Sequence, residues 1–402
     1  MKRTLYFYGK IILLCNMIVL LNAFNNEPYA LYPYKIDKIA KLKNPYQLTV
    51  SQDEKHLFVG SDTSIYHLNL IWSKNLFGVT KLSAYSDYDI NFSIKPTGVW
   101  LNNTRLYVRT NTQVIYYDNI LNKTKEEIPY LKHNIVKILD RSSSSSFGYI
   151  KVGFSDLLYS SVTYIHNKEY IDYIISFNKT GESFSILQKG SVFAFSSKNN
   201  GFFIDNQYSY NSSLSDPLCK FSGLSFIKNL LPNLQNSSDN IRLYSIGCNT
   251  NIFGLSFSNQ RLPLADGSFK INTVLIPFFN SGKVSIVDLS PNATINNDRI
   301  VLTGWCNSSH SHSCKGPLDV YLLRDSSFLV SDFDGNIYWV YYYSYGNLGI
   351  ILFIIFAILI LAILFLSIFI PSLCTLCNIF HLHNVDLSES SPLLTPYSPS
   401  IL

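Results

Sequence analysis

The chain has 402 residues, a formal net charge of +5 and 15% charged residues, with Lys and Arg scattered along it. That balance excludes nucleic-acid binding through a basic patch, and the length admits one large domain or two ordinary ones beside targeting segments. Tyr, Phe, Ile, Val, Ser, Thr and Asn are abundant, a composition that suits strands.

In chain order, residues 1–23 come first. MKR supplies a basic start, Ile11–Leu21 is an apolar run too short to span a membrane comfortably, and Ala23 offers a small residue for cleavage. Such a segment reads as a secretory signal peptide, an uncleaved anchor being the alternative. The central region that follows it is then extracytoplasmic.

Residues 24–346 form that ectodomain. Short apolar runs alternate with turn residues, and no amphipathic helical pattern persists much beyond two turns. Leu224–Leu231 is the best candidate for a brief helix and is stopped by Pro232. Three segments overlay: Pro45–Leu70, Pro96–Ile120 and Pro317–Tyr342. Each opens with Pro and a first strand (Leu48–Val50, Val99–Leu101, Val320–Leu322). A second strand has the form Leu/Phe-x-Val (Leu57–Val59, Leu106–Val108, Phe328–Val330), and a third carries Ile/Val with Tyr. A meander of this kind cannot bury both faces alone, so successive units must stack around a common axis. At roughly 50 residues per four-stranded unit the ectodomain holds about six. The expected fold is all-β, a six-bladed β-propeller followed by one C-terminal transmembrane helix. Ser142–Ser146 and Asn233–Asn240 read as loop tips.

PTGVWLNNTRLYVRTNTQVIYYDNI (Pro96–Ile120) and LTGWCNSSHSHSCKGPLDVYLLRDSSFLVSDFDGNIYWV (Leu302–Val340) resemble two blade phrases of the glucose/sorbosone dehydrogenase superfamily, the soluble quinoprotein glucose dehydrogenase-like propellers. The resemblance implies pyrroloquinoline quinone (PQQ) and a calcium ion over the central channel, cations on the quinone carboxylates, and a histidine that takes the sugar hydroxyl proton. In IPYLKHNIVK (Ile128–Lys137), His133 matches the catalytic base and Lys137 a cofactor-binding cation. Ile135 and Val136 stand where the family has glycine and a bulky aromatic, and β-branched residues do not take glycine conformations readily. The Arg-Asn pair that the family places on its cofactor has no counterpart within Gly181–Phe203, and Lys315–Pro317 reads KGP where an Arg is expected. No acidic loop that would rebuild the calcium site is found. The reading that follows is a membrane-anchored binding module for an extracellular protein or carbohydrate, with degraded catalytic machinery and no cofactor. Its alternative is a PQQ- and calcium-dependent aldose or sorbosone oxidoreductase.

Cys219, Cys248, Cys306 and Cys314 lie in the ectodomain, and an even number in an oxidising compartment suggests two disulfides. Three pairings are possible; the sequence-local one joins Cys219 to Cys248 and Cys306 to Cys314. His310 and His312 beside the last two could be imagined as metal ligands, but bridged cysteines leave them as loop residues. Acceptor sequons for N-glycosylation stand at Asn91, Asn102, Asn122, Asn178, Asn211, Asn236, Asn292 and Asn307, all before the apolar segment.

That segment is residues 347–370, uncharged throughout 348–370. At about 1.5 Å per residue such a helix reaches roughly 35 Å, enough for a ~30 Å hydrocarbon layer. Residues 371–402 then form a short cytoplasmic tail without Lys or Arg, Pro- and Ser-rich near its end and expected to be disordered. Cys374 and Cys377 sit at the membrane edge, where S-palmitoylation is favoured. The expectation is a single-pass type I glycoprotein of the secretory route or cell surface.

Overall fold

The structure is a computed structural model that describes residues 28–74, 80–93, 95–139, 149–153, 157–166, 169–195, 201–209, 218–227, 240–246, 252–264, 268–288, 298–306, 316–342, 354–366 and 369. Two compact units divide the chain, Met1–Tyr343 and Ser344–Leu402.

The first unit is an all-β propeller of antiparallel meanders. Sheet I runs Leu48–Val50, His56–Gly60, Ser64–Lys74 and Thr80–Asn91; sheet II runs Pro96–Asn102, Arg105–Thr110, Gln113–Tyr117 and Asn134–Ile138. The strands of the three overlaid segments fall where their Leu-x-Val and Ile-Tyr patterns place them. First and second strands are buried on both faces, because each sheet is covered by a neighbour on either side. The outermost strand Thr80–Asn91 is mixed along its length, as expected where one face meets solvent.

Sheet III corrects the expected number of blades: five sheets form the propeller, not six. The meander Ile150–Val152, Leu158–His166, Glu169–Phe177, Ser183–Lys189 and the meander Val192–Phe195, Gly201–Ser209, Leu218–Ile227, Asn240–Ile246 belong to one eight-stranded sheet. Their long second and third strands run past the blade and pair with each other, Glu169 opposite Ser209 and Ile171 opposite Gln207. An open edge of unpaired amides seeks a partner, and here it finds the adjacent meander. The same sheet corrects the brief helix, since Leu218–Ile227 is a strand; its first half is regular sheet, and residues 228–231 lie outside the described part.

Sheet IV contains Ser256–Ser258, Thr273–Phe278, Lys283–Asp288 and Asp298–Thr303, and sheet V contains Pro317–Leu322, Phe328–Asp332 and Asn336–Tyr342. The N-terminal part of the described chain closes the ring. Tyr29–Ala30 adds to the edge of sheet IV, and Tyr34–Lys41 pairs with Asn336–Tyr342 as the outermost strand of sheet V. Hydrophobic clusters fill the wedges between successive sheets. Leu48, Leu57, Leu329 and Trp339 pack between sheets I and V, while Phe58, Ile65, Leu106 and Ile115 pack between I and II. Each such fully buried side chain stabilises the unit by about 1.5–3 kcal/mol before chain entropy is counted.

Of the second unit the structure describes residues 354–366, an α-helix with apolar side chains exposed around it, and Phe369, whose ring stacks on Phe365. Among the described residues no helix is long and apolar enough to cross a membrane. Of the expected span 347–370 the structure describes residues 354–366 and 369, and the remainder lies outside the described residues. So do the signal segment 1–23 and the tail 371–402 with Cys374 and Cys377.

Candidate functional site

The innermost strand of each meander faces the axis of the ring. There Leu48–Val50 adjoins both Pro96–Asn102 and Pro317–Leu322, Pro96–Asn102 adjoins Ile150–Val152, and Ser256–Ser258 adjoins Val192–Phe195. These strands bring together a set of buried polar side chains from distant parts of the chain. Asp319 accepts a hydrogen bond from the Leu48 amide at 2.8 Å and another from the Tyr149 hydroxyl at 3.3 Å. Lys151 donates its Nζ hydrogen to the Leu255 carbonyl at 2.9 Å and lies over the rings of Tyr149 and Trp100, 4.8 and 5.2 Å from their centroids. Gln47 donates to the Ile150 carbonyl and accepts from the Val99 amide. Asp319 is 1% exposed and Lys151 8%.

Burial sets the electrostatics. It pushes the Asp319 carboxyl up and the Lys151 ammonium down, and each is pulled back by the charge of the other. Gly254 has no side chain for a packing reason: a Cβ there would run into Asp319. One sheet away, Arg109 is wholly buried on Arg105–Thr110 and donates to the Thr97 hydroxyl at 2.6 Å; burial lowers its pKa to about 10 against the charges of Asp172 and Tyr46.

None of this was found from sequence, although the overlay held the signal. Two residues after the opening proline stand Gln47 and Asp319, polar positions ahead of an apolar strand, and both face the axis. Nothing in the sequence marks Lys151 as their neighbour.

The residues singled out from sequence lie elsewhere. His133 precedes Asn134–Ile138, the outermost strand of sheet II, and is exposed; its ring is edge-on to Tyr117 at 6.0 Å. Lys137 lies on the same strand, past a bulge between Ile135 and Lys137, and donates to the Gly181 carbonyl at 2.9 Å. Its charge is committed to the rim. The family resemblance requires cations over the axis and a calcium ligand set. Lys151 and Arg109 are buried and hydrogen-bonded inside the protein, and no group of three or more His, Cys, Asp or Glu able to hold a metal occurs among the described residues. The described residues do not fit the quinone with its calcium.

Of the sequons, Asn91 and Asn122 are exposed at strand and turn ends, and Asn102 is half-buried. Asn178 is half-buried in a turn whose Thr180 and Glu182 amides donate to its Oδ1. Asn211, Asn236, Asn292 and Asn307 lie outside the described residues, as do Cys248, Cys314 and the side chain of Cys219; Cys306 is disulfide-bonded.

A cavity of about 430 Å³ opens at the rim between sheets I and II. Asp89, Ile90, Phe92, Ile115, Tyr117 and His133 contribute to its wall, and Ile128 and Pro129 of a short 3-10 helix, Lys125–Tyr130, complete it. That helix is anchored where the Thr124 amide donates to Glu127 at 2.9 Å and Lys123 donates to the same carboxylate at 3.0 Å.

No protein-family model matches this chain, and no curated protein matches it. Solved structures do. A calcium structure of a Trichoderma reesei carbohydrate-active enzyme of family AA12 superposes with a TM-score of 0.54 at 13% identity, covering 79% of this chain and 97% of that one. An iodide structure of a family AA12 enzyme from the same organism gives 0.53 at 13% identity, covering 79% and 98%. The propeller fold is shared. At this identity the likeness speaks for the fold alone. The apo-form of the soluble aldose sugar dehydrogenase of Escherichia coli is also similar, with a TM-score of 0.46 at 11% identity over 77% of this chain and 100% of that one.

Proposed function

We propose that this chain is a single-pass glycoprotein of the secretory route whose extracytoplasmic propeller binds an extracellular protein or carbohydrate and does not catalyse. The observation that carries the reading is the burial of Lys151 and Arg109, each hydrogen-bonded inside the protein, together with the placement of Lys137 on the outermost strand of sheet II, where it donates to the Gly181 carbonyl. Tethering is supported by the apolar helix of 354–366, whose side chains are exposed all round, within a longer uncharged segment. In this proposal residues 1–23 are removed as a signal, the sequon asparagines carry glycans, Cys219–Cys248 and Cys306–Cys314 are the disulfide pairs, and Cys374 and Cys377 are acylated.

The test is direct. Purified full-length chain mixed with PQQ, calcium and an artificial electron acceptor is expected to bind no quinone and to oxidise no aldose. The second reading, a PQQ- and calcium-dependent sugar oxidoreductase, is favoured by one observation, the position of His133 on a cavity wall beside Tyr117. Aldose oxidation that disappears in His133→Ala would establish it and remove the first.

A further inference from the structure

The rim cavity has a chemical character of its own. Tyr117 stands between two other rings, with Phe92 edge-on at 6.3 Å and 72° and His133 edge-on at 6.0 Å and 68°. All three rings contribute to the cavity wall, and an aromatic ring attracts a cation because its face carries negative charge density. Tyr117 is 5% exposed, and its hydroxyl hydrogen-bonds to none of the described residues. No Lys or Arg lines the cavity, whereas Asp89 does. Among the described residues Asp89 makes no ion pair within 4 Å. Lys125 acts on it only from a distance, and burial holds its carboxyl above the usual carboxylate range.

We propose that this cavity binds an organic ammonium group, with Asp89 as counter-ion and Phe92, Tyr117 and His133 as the aromatic walls. An anion would meet a carboxylate and no cation. A neutral ligand would offer the Asp89 carboxylate no counter-charge. An alkyl or quaternary ammonium satisfies both the rings and the carboxylate, and the volume suits a small head group such as choline or a methylated lysine side chain. The proposal rests on the binding-module reading but names its own site, so its failure and that of the quinone test are separately visible.

Asn91 also lines the cavity and belongs to a sequon, so the experiment uses the full-length chain after endoglycosidase treatment. Calorimetric titration with choline is expected to show saturable binding. Asp89→Asn weakens it roughly five- to tenfold, and Phe92→Leu roughly threefold. Asp89 is exposed and Phe92 half-buried, so both variants are expected to keep the thermal transition of the parent, which is measured alongside. Glucose and citrate serve as neutral and anionic probes and are expected to give no saturable heat. Absence of choline binding, equal binding by Asp89→Asn, or displacement of choline by glucose overturns the proposal.

Discussion

Replacing Asp319 by alanine tests how the propeller axis is held. The substitution removes both acceptors at once: the Leu48 amide loses its 2.8 Å partner, and the Tyr149 hydroxyl keeps only the Leu255 carbonyl at 3.3 Å. A buried amide left without an acceptor costs about 1–3 kcal/mol. Lys151, 8% exposed, also loses the one charge that offsets its desolvation. No ion pair within 4 Å joins Lys151 to Asp319, so the orphaned amide sets the scale of the loss, about 1–3 kcal/mol. For a protein with about 5–15 kcal/mol of stability the loss is appreciable, and at about 2–4 °C per kcal/mol it lowers the melting temperature by roughly 2–12 °C. Lys151→Met is expected to cost less, because the Asp319 carboxyl, already pushed up by burial, can take a proton while keeping its amide donor. The double variant Asp319→Asn, Lys151→Met removes both charges and retains the shape, so it is expected to recover much of the loss. Urea denaturation of the full-length chain measures all four proteins. A cost below about 1 kcal/mol for Asp319→Ala, or a double variant no more stable than Asp319→Ala, would refute the picture of an axis held by these buried polar contacts.

His67 is 3% exposed, packed against Phe58 and Tyr88, and hydrogen-bonded to His56 at 3.0 Å. Burial first and His56 second lower its pKa from 6.5 to about 4, against the pull of Asp87. The unfolded chain therefore binds the extra proton, so stability is intact above about pH 6.5 and falls by roughly 2–3 kcal/mol as pH drops to about 4. Thermal scans across that window are expected to show a slope that His67→Gln flattens. Gly254→Ala drives a methyl group into Asp319 and its backbone and is expected to destabilise by about 1–3 kcal/mol, read as a lower urea midpoint. Deleting residues 34–41 strips the outermost strand from sheet V and opens the ring; hydrogen exchange is expected to lose protection first along Asn336–Tyr342. Endoglycosidase digestion of the chain made in a secretory host is expected to lower its apparent mass, and Asn122→Gln, at an exposed turn, to lower it by one glycan.

Local pattern carried far in this chain. Leu57–Val59, Leu106–Val108 and Phe328–Val330 declare buried strands by their own alternation and β-branched content, and the repeat of three strands after a proline demands stacking around an axis. Those inferences need only neighbours within a few residues. Three features depended on contacts that no short stretch encodes. Sheet III merges two meanders because Glu169–Ile171 meets Gln207–Ser209 across a gap in sequence. Leu224–Ile227 is strand because Gly201–Ser209 offers it a hydrogen-bonding partner, which outweighs a helical-looking run. Asp319 and Lys151, 168 positions apart by number (319 − 151), become one site only when the ring closes and water is excluded from both. His133 shows the reverse: its motif suggested chemistry, yet its placement follows from being at the start of an outermost strand. Sequence alone determined the strands of the three overlaid segments and the apolar segment after them, because side-chain shape and hydrophobic alternation act locally. Tertiary structure alone decided which polar groups share the dry axis and which share the rim cavity, because desolvation and charge pairing depend on what the rest of the chain brings alongside.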